Sequence, residues 1–181
     1  MSHEDSARRQ RRALDSLARF HEEVVRATGV LERRHASRLR CGRGCSSCCV
    51  DGLTVFQVEA ARIRRDAAEL LATGTPHAEG SCAFLDEGGA CRIYEHRPYV
   101  CRTQGLPLRW LQETPDGALL DLRDICPLNE DGEPVELLPP EDLWTCGPYE
   151  GRLAEIQLSF SEGSMERVAL RELFPPSAER E

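Results

Sequence analysis

Residues 41–49 read CGRGCSSCC and place four cysteines within nine residues. Only Gly, Arg and Ser separate these cysteines, so the stretch offers no apolar face that could bury free thiols as small hydrophobes. Glycine lets the backbone turn tightly, which allows several sulfur atoms to converge on one centre. Zinc takes four such ligands, and an iron–sulfur cluster is usually held by four thiolates. The stretch therefore predicts a metal-binding loop.

The cysteine count of the whole chain supports the same interpretation. Nine cysteines occur among 181 residues. A disulfide framework needs an even count and an oxidising compartment, and the N-terminus lacks the apolar core of a secretory signal. We therefore expect a cytoplasmic protein with reduced thiols. Dithiol redox chemistry and purely structural thiols are the alternatives to metal binding, and nine thiols could fill either one centre or two.

Charge and hydropathy limit the partners. The net charge is −8, and residues 1–65 carry 14 Arg against 8 acidic residues. An acidic chain with one basic segment is a poor candidate for nucleic-acid binding. The basic N-terminal segment either docks onto an acidic protein partner or forms a solvated face. No apolar stretch reaches the roughly 18 residues of a membrane span, so we expect no membrane contact.

The periodicity of apolar residues predicts an α+β fold: a small metal-organised domain with few short strands, preceded by a long N-terminal helix. Residues 6–36 form that helix, because Leu14, Leu17, Phe20, Val24 and Leu31 recur at helical spacing. We expect an N-terminal helical extension over 1–37, a cysteine-cluster domain over 38–128, and an acidic Pro-rich loop with C-terminal helices over 129–181, packed on the same domain.

Shorter elements follow from local signals. Thr54 and Gln57 have the spacing of a capping box, which predicts a helix over 55–72. Turn residues indicate two further hairpins, one joining 83–85 to 91–94 and one joining 106–112 to 118–123. A helical turn after Arg97-Pro98 would carry Cys101. Two C-terminal helices are expected near 148–158 and 164–173.

Three cysteine-bearing segments together resemble a known family. They are CGRGCSSCC at 41–49, then SCAFL at 81–85 followed by GACRIYEHRPYVCR at 89–102, and finally Cys126-Pro127. The chain is similar here to the YkgJ-like CxxCxxCC cysteine-cluster family of zinc- or iron-chelating domains. The resemblance covers roughly residues 38–128 and implies metal binding. It implies little about activity.

The expected ligands are the eight cysteines within this pattern. They are Cys41, Cys45, Cys48, Cys49, Cys82, Cys91, Cys101 and Cys126. Adjacent Cys48 and Cys49 point in different directions, so they serve two centres or one of them lies behind the ligands. Cys146 lies outside the pattern and is expected to be a buried thiol. His96 could ligate zinc, although a surface position or a place behind the ligands is the favoured interpretation.

The identity of the bound group stays open between an iron–sulfur cluster, of the 4Fe–4S type, and zinc. Soft thiolates suit both. The long spacings from Cys82 to Cys91 and Cys101 differ from the paired cysteines of zinc ribbons and tilt the choice towards iron.

Three roles follow from the cysteines. A structural or accessory metal-binding module is the first, an iron–sulfur-dependent redox or methyl-transfer enzyme is the second, and a metal chaperone is the third. The spacing of Cys41, Cys45 and Cys48 matches radical S-adenosylmethionine enzymes, but Ser47 replaces their usual aromatic residue and no series of βα units follows. Whether the protein is an enzyme stays open, since no catalytic triad or phosphate-binding loop appears.

Overall fold

A computed structural model of the chain describes residues 3–175. Its mixture of helices and short strands, with a long N-terminal helix, confirms the α+β prediction. The helices are α1 His3–Arg34, α2 Gln57–Asp66, α3 Ala68–Thr73, α4 Tyr99–Thr103 and α5 Cys146–Ser161. The strands are β1 Thr54–Phe56, β2 Leu108–Glu113, β3 Leu119–Asp124, β4 Trp144–Thr145 and β5 Arg167–Ala169.

The described chain divides into two compact units. Unit 1 contains residues 3–19, 42–98 and 154–175, and unit 2 contains 20–41 and 99–153. Helix α1 contributes to both, and the apolar stripe predicted for it is largely buried: Leu17, Phe20, Val24 and Leu31 are buried, while Leu14 is half-buried. No helix of residues 3–175 combines the length and the apolar composition needed to cross a membrane.

Unit 1 packs its helices on a two-stranded sheet. Strands β1 and β5 pair antiparallel, with Thr54 opposite Ala169 and Phe56 opposite Arg167. Their buried side chains join those of α2, α3 and the C-terminal segment in one apolar core, which includes Val55, Ile63, Phe84, Leu170 and Phe174. Cys82 and Cys91 are packed against this core. The core therefore fixes the backbone from which two of the expected ligands project.

The start of α2 differs from the predicted capping box. Thr54 lies in β1, and its hydroxyl accepts a hydrogen bond from Arg167 Nε at 3.0 Å. The helix begins at Gln57 instead, and the side-chain oxygen of Gln157 accepts the Val58 N–H at 3.0 Å. The predicted cap was wrong because strand pairing with β5 uses Thr54, and a distant buried amide satisfies the helix end.

A half-buried ion pair between Asp51 and Arg171 joins the segment after the cysteine loop to the C-terminal segment of unit 1. The Arg171 guanidinium binds both carboxylate oxygens of Asp51 at 2.9 Å. It also donates to three backbone carbonyls in one loop, those of His77, Ala78 and Ser81. The hydrogen bonds from Arg171 hold the pKa of Asp51 at about 2. One side chain thus joins three segments of unit 1.

Unit 2 is built on a three-stranded sheet and a group of aromatic rings. Strand β2 lies between β3, which pairs antiparallel with it, and β4, which pairs parallel. The β2–β3 hairpin confirms the prediction for 106–123. Trp144 donates from its indole nitrogen to the Tyr99 hydroxyl at 3.0 Å and stacks on Tyr149 with ring centroids 4.2 Å apart. These contacts hold α4, which carries Cys101 as predicted.

Three other predictions were wrong in part. Residues 164–173 form β5 and a 3-10 turn over Leu170–Leu173 rather than a helix, because Val168 pairs with Val55 of β1. The hairpin expected around residues 86–89 has its turn, but pairing is limited to one bridge between Leu85 and Cys91. The single helix predicted over 55–72 is interrupted at Ala67, where α2 gives way to α3.

Replacing Arg171 by Met should lower the thermal unfolding midpoint at neutral pH. The change keeps an unbranched side chain but removes the donors that hold Asp51 and three carbonyls. Because the ion pair depresses the pKa of Asp51 to about 2, its stabilisation is present above the ordinary Asp pKa near ~4 and is lost as pH falls through the folded value.

Thermal unfolding followed at pH 7, 4 and 2.5 should therefore show a difference between wild type and R171M that is largest at pH 7 and shrinks in acid. The exposed Arg64 of α2 provides the control variant R64M, for which we expect no change. An R171M midpoint equal to wild type at pH 7 would contradict the prediction.

Candidate metal centre

The cysteine loop of unit 1 is a pair of tight turns. Cys45 N–H donates to Gly42 O at 3.0 Å, and Cys49 N–H donates to Ser46 O at 2.8 Å. Gly44 has a φ of +85°, a left-handed conformation that glycine adopts without steric cost. The turns leave Cys48 exposed and Cys45 and Cys49 half-buried. The sequence therefore builds a compact loop that presents sulfur atoms rather than burying them.

Two other segments of unit 1 support this loop. Cys82 N–H donates to Cys49 O at 2.9 Å, which joins the loop to the start of the 82–91 segment. A methyl group at Gly89 would lie 3.3 Å from Gly44 O, so the turn at 86–90 packs closely on the loop. Gly89 also has a left-handed φ of +76°. The cysteine loop and the 82–91 segment are thus in contact at two places.

Cys48 and Cys49 form an interacting pair of thiols. A hydrogen bond from the Cys49 side chain is the largest cause that lowers the pKa of Cys48, to about 6, and the positive charge of Arg97 lowers it further. At neutral pH Cys48 is therefore mainly a thiolate in the protein without metal. A thiolate is the form that binds metals.

The pKa values of Cys82 and Cys91 are raised, in contrast to that of Cys48. Burial raises the pKa of both thiols. The proximity of Cys82 raises the pKa of Cys91 further, so the two sulfur atoms are electrostatic neighbours. Without a cation these thiols keep their protons at neutral pH. A bound cation would reverse this preference, because its charge stabilises thiolates that repel each other.

Arg97 is a cation that acts on one thiol of each pair. Its Nε donates to Tyr94 O at 2.9 Å, and its guanidinium lies 3.6 Å from the centroid of the Tyr94 ring. Its charge lowers the pKa of both Cys48 and Cys91. The contacts with Tyr94 hold the side chain, and its charge favours the thiolate form of one cysteine of the loop and of one in the 82–91 segment.

Unit 2 contains the remaining cysteines. Cys101 lies on α4, and Cys126 precedes the 3-10 turn Pro127–Asn129, where its carbonyl accepts the Asn129 N–H at 2.7 Å. The exposed Cys41 accepts a hydrogen bond at its sulfur from the Asn129 side-chain amide at 3.2 Å. Asn129 thus connects the segments that carry Cys41 and Cys126.

Cys146 and His96 were expected to lie outside the ligand set, and that expectation stays a prediction. Burial, with a smaller effect of Glu150, raises the pKa of the half-buried Cys146 thiol to about 11, so it is protonated at neutral pH. His96 Nδ1 lies 3.5 Å from a carboxylate oxygen of Asp66, which also pairs with two arginines of α2. Neither residue contacts an expected cysteine ligand through these groups.

Over residues 3–175, the structure does not assemble three or more His, Cys, Asp or Glu side chains in an arrangement ready to hold a metal ion. It brings the expected ligands together in smaller sets: Cys48 with Cys49, Cys82 with Cys91, and Cys41 with the segment of Cys126. The full set of eight ligands stays a prediction.

Sequence reasoning missed Asn129 and Gly105, which both contact Cys41. Asn129 is the only asparagine in the chain and follows Cys126 by three residues, a signal that composition alone could have raised. Gly105 has no such signal, because its role depends on a close approach that only the folded chain shows: a methyl group there would lie 2.6 Å from the Cys41 sulfur.

Comparison with known families agrees with this donor chemistry. Residues 40–126 match the family model CxxCxxCC, described as a zinc- or iron-chelating domain. This central part of the chain is therefore similar to the zinc- or iron-chelating domain of that family. Neither the curated proteins nor the solved structures contain a match to it.

The residues present fit a soft cation. The donors in unit 1 are sulfur atoms, one of them already anionic, and an arginine lies close enough to offset part of the charge of a thiolate-rich centre. Hard cations that prefer oxygen ligands would find no matching set at these cysteines.

In the protein without metal, Cys48 should react with iodoacetamide faster than Cys82 and Cys91 at pH 7. Alkylation requires the thiolate, and the pKa of Cys48 is lowered whereas the pKa values of Cys82 and Cys91 are raised. Peptide mass spectrometry over a time course would measure each rate separately. Cys49→Ala should slow Cys48, because it removes the largest cause of the lowered pKa. Equal rates at the three cysteines would contradict the assignment.

Proposed function

We propose that this protein binds zinc or an iron–sulfur cluster of the 4Fe–4S type through its cysteine cluster, in a structural or accessory role. The proposed ligands are Cys41, Cys45, Cys48, Cys49, Cys82, Cys91, Cys101 and Cys126. Five of them belong to unit 1 and three to unit 2. The observation that carries the proposal is the contact in unit 1 between the cysteine loop and the 82–91 segment, where Cys82 N–H donates to Cys49 O at 2.9 Å.

The protonation of the thiols supports a cation as the missing partner. Cys82 and Cys91 lie half-buried beside an apolar core, where burial raises the pKa of each thiol. Such a pair gains little as free thiols, because their sulfur atoms make only weak hydrogen bonds. Coordination would replace their protons by one divalent centre. Binding should therefore release protons and tighten as pH rises through neutrality.

The choice between zinc and iron rests on the ligand chemistry. Both accept four thiolates, and both give a centre of about −2 charge that Arg97 would partly offset. The spacing from Cys82 to Cys91 and Cys101 is longer than in paired zinc knuckles. We therefore favour the cluster, with zinc as the alternative.

Anaerobic purification followed by measurement of iron, zinc and acid-labile sulfide tests the proposal. We expect at least about one metal centre per chain, with sulfide equal to iron if the centre is a cluster. Less than about half a metal per chain, after reconstitution with either metal, would contradict it. The ratio of metal to chain also distinguishes one centre from two.

A matched pair of variants tests the ligands. Cys82→Ser removes a donor that lies beside Cys91, and we expect it to lower the metal content and the thermal midpoint of the metal-loaded protein. Cys146→Ser makes the same chemical change at a half-buried thiol outside the family domain, and we expect the metal content to stay at the wild-type value. Equal loss in both variants would indicate general destabilisation instead of loss of a ligand.

Metal transfer to another protein is a second candidate function. The exposure of Cys41 and Cys48 favours it, because an accepting thiol could approach their sulfur atoms from solvent. Transfer of zinc to an acceptor protein faster than its release to a chelator would support this role. A reversible change in the visible spectrum on adding dithionite would instead favour the redox alternative.

A further inference from the structure

Asn129 has an unusual position for a polar residue. It is the chain's only asparagine, it lies three residues beyond the end of the family domain, and it is completely buried. Burying an amide without partners is unfavourable, so each of its polar groups must find one. The partners of this one side chain all lie in unit 2, around Cys41.

The hydrogen bonds of the Asn129 side chain leave it a single orientation. Its Oδ1 accepts the Arg40 N–H at 2.7 Å, which identifies the oxygen. Its Nδ2 then donates to Gly105 O at 2.7 Å and to Cys41 Sγ at 3.2 Å. Rotating the amide by 180° would place an oxygen against the Gly105 carbonyl and lose all three bonds.

The backbone around Asn129 is equally constrained. Arg38 is buried and donates from Nε to Asn129 O at 2.9 Å and from its terminal nitrogens to the carbonyls of Glu133 and Glu130. Asn129 N–H closes the turn on Cys126 O. The amide therefore projects from a turn that is fixed on both sides.

The backbone of Gly105 lies close to the Cys41 sulfur. Its φ is +93°, and a methyl group at this position would lie 2.6 Å from Cys41 Sγ. The sulfur thus rests against bare backbone on one side and receives the Asn129 N–H on another, while residue Cys41 remains exposed. This arrangement orients a sulfur atom that can still be reached from solvent.

We propose that Asn129, together with Gly105, is a positioning residue that holds the Cys41 sulfur for metal binding. The inference rests on the proposed function, since it assigns a purpose to the orientation of one proposed ligand. Donors that hydrogen-bond metal ligands from behind fix their direction, and losing them typically lowers metal affinity about 10–100-fold.

Because Asn129 is the only asparagine, labelling with asparagine that carries ¹⁵N in its side chain gives one pair of amide signals in an NMR spectrum. We expect Cys41→Ser to shift the signal of the proton that faces the sulfur, and zinc addition to shift it in the wild type. Cys146→Ser is the matched control and should leave the pair unchanged. Signals that respond to neither Cys41→Ser nor zinc would overturn the inference.

A second measurement uses zinc affinity in competition with a chelator. Asn129→Asp keeps the size of the side chain and the acceptor for Arg40, but it removes the donor to Cys41. We expect its affinity for zinc to fall about 10–100-fold. Gln157→Glu makes the same amide-to-acid change at an equally buried residue of unit 1 that bonds Val58 and Ser164, and it should bind zinc as the wild type does.

These experiments separate the inference from the proposed function. If the wild type binds neither zinc nor a cluster, the proposed function fails, and so does the purpose assigned to Asn129. If the wild type binds zinc while N129D binds it equally well and the amide signals stay unchanged, only the inference fails. A loss of affinity in N129D that is matched in Q157E would also overturn it.

Discussion

Sulfur atoms that approach each other as thiolates repel, and this repulsion governs the arrangement at the cysteines of unit 1. The protein reduces this repulsion in two ways. Burial raises the pKa of Cys82 and Cys91, and the neighbouring Cys82 raises that of Cys91 further, so both stay protonated. Cys48 is held as an anion by the Cys49 thiol and the charge of Arg97. A divalent centre would remove the conflict for all of them together, since its charge exceeds that of any single arginine.

The scaffold that brings the cysteines together depends on contacts between distant parts of the sequence. Asp51 and Arg171 are 120 residues apart, and β1 pairs with β5 over a similar separation. Aromatic residues make up only 6% of the chain, so the core of unit 1 is small. Polar side chains also hold the segments of unit 1 together. Arg171 and the buried Gln157 each make hydrogen bonds to backbone groups of more than one segment.

Local signals predicted the elements whose causes are local. The helical spacing of apolar residues found α1, and the turn residues at 114–117 found the β2–β3 hairpin. Thr54 was wrongly assigned to a helix cap. Its hydroxyl accepts a hydrogen bond from Arg167 instead, because Thr54 lies in a strand that pairs with β5. The C-terminal segment was misassigned for the same reason, since Val168 forms a strand only because Val55 is there to pair with it.

The candidate site also combines features that residue type predicts with features that only the folded chain shows. Residue type and spacing predicted the cysteines as ligands, because donor chemistry is written in the sequence. The effect of Arg97 on two of the thiols was not predicted. The environment of each thiol is not written in the sequence. Burial raises the pKa of Cys82, Cys91 and Cys146, and the contact between Asn129 and Cys41 joins residues 88 positions apart.

The pairing of β1 with β5 has a consequence for biosynthesis. The ribosome makes the cysteine loop long before residues 167–173, whose strand and arginine complete unit 1. At about 5–20 residues per second, the 120 residues between Asp51 and Arg171 take roughly 6–24 s to translate. During that interval the nascent thiols meet the reductants, oxidants and metals of the cell without their finished scaffold. Early capture of a cation would shield them from oxidation before the chain closes around them.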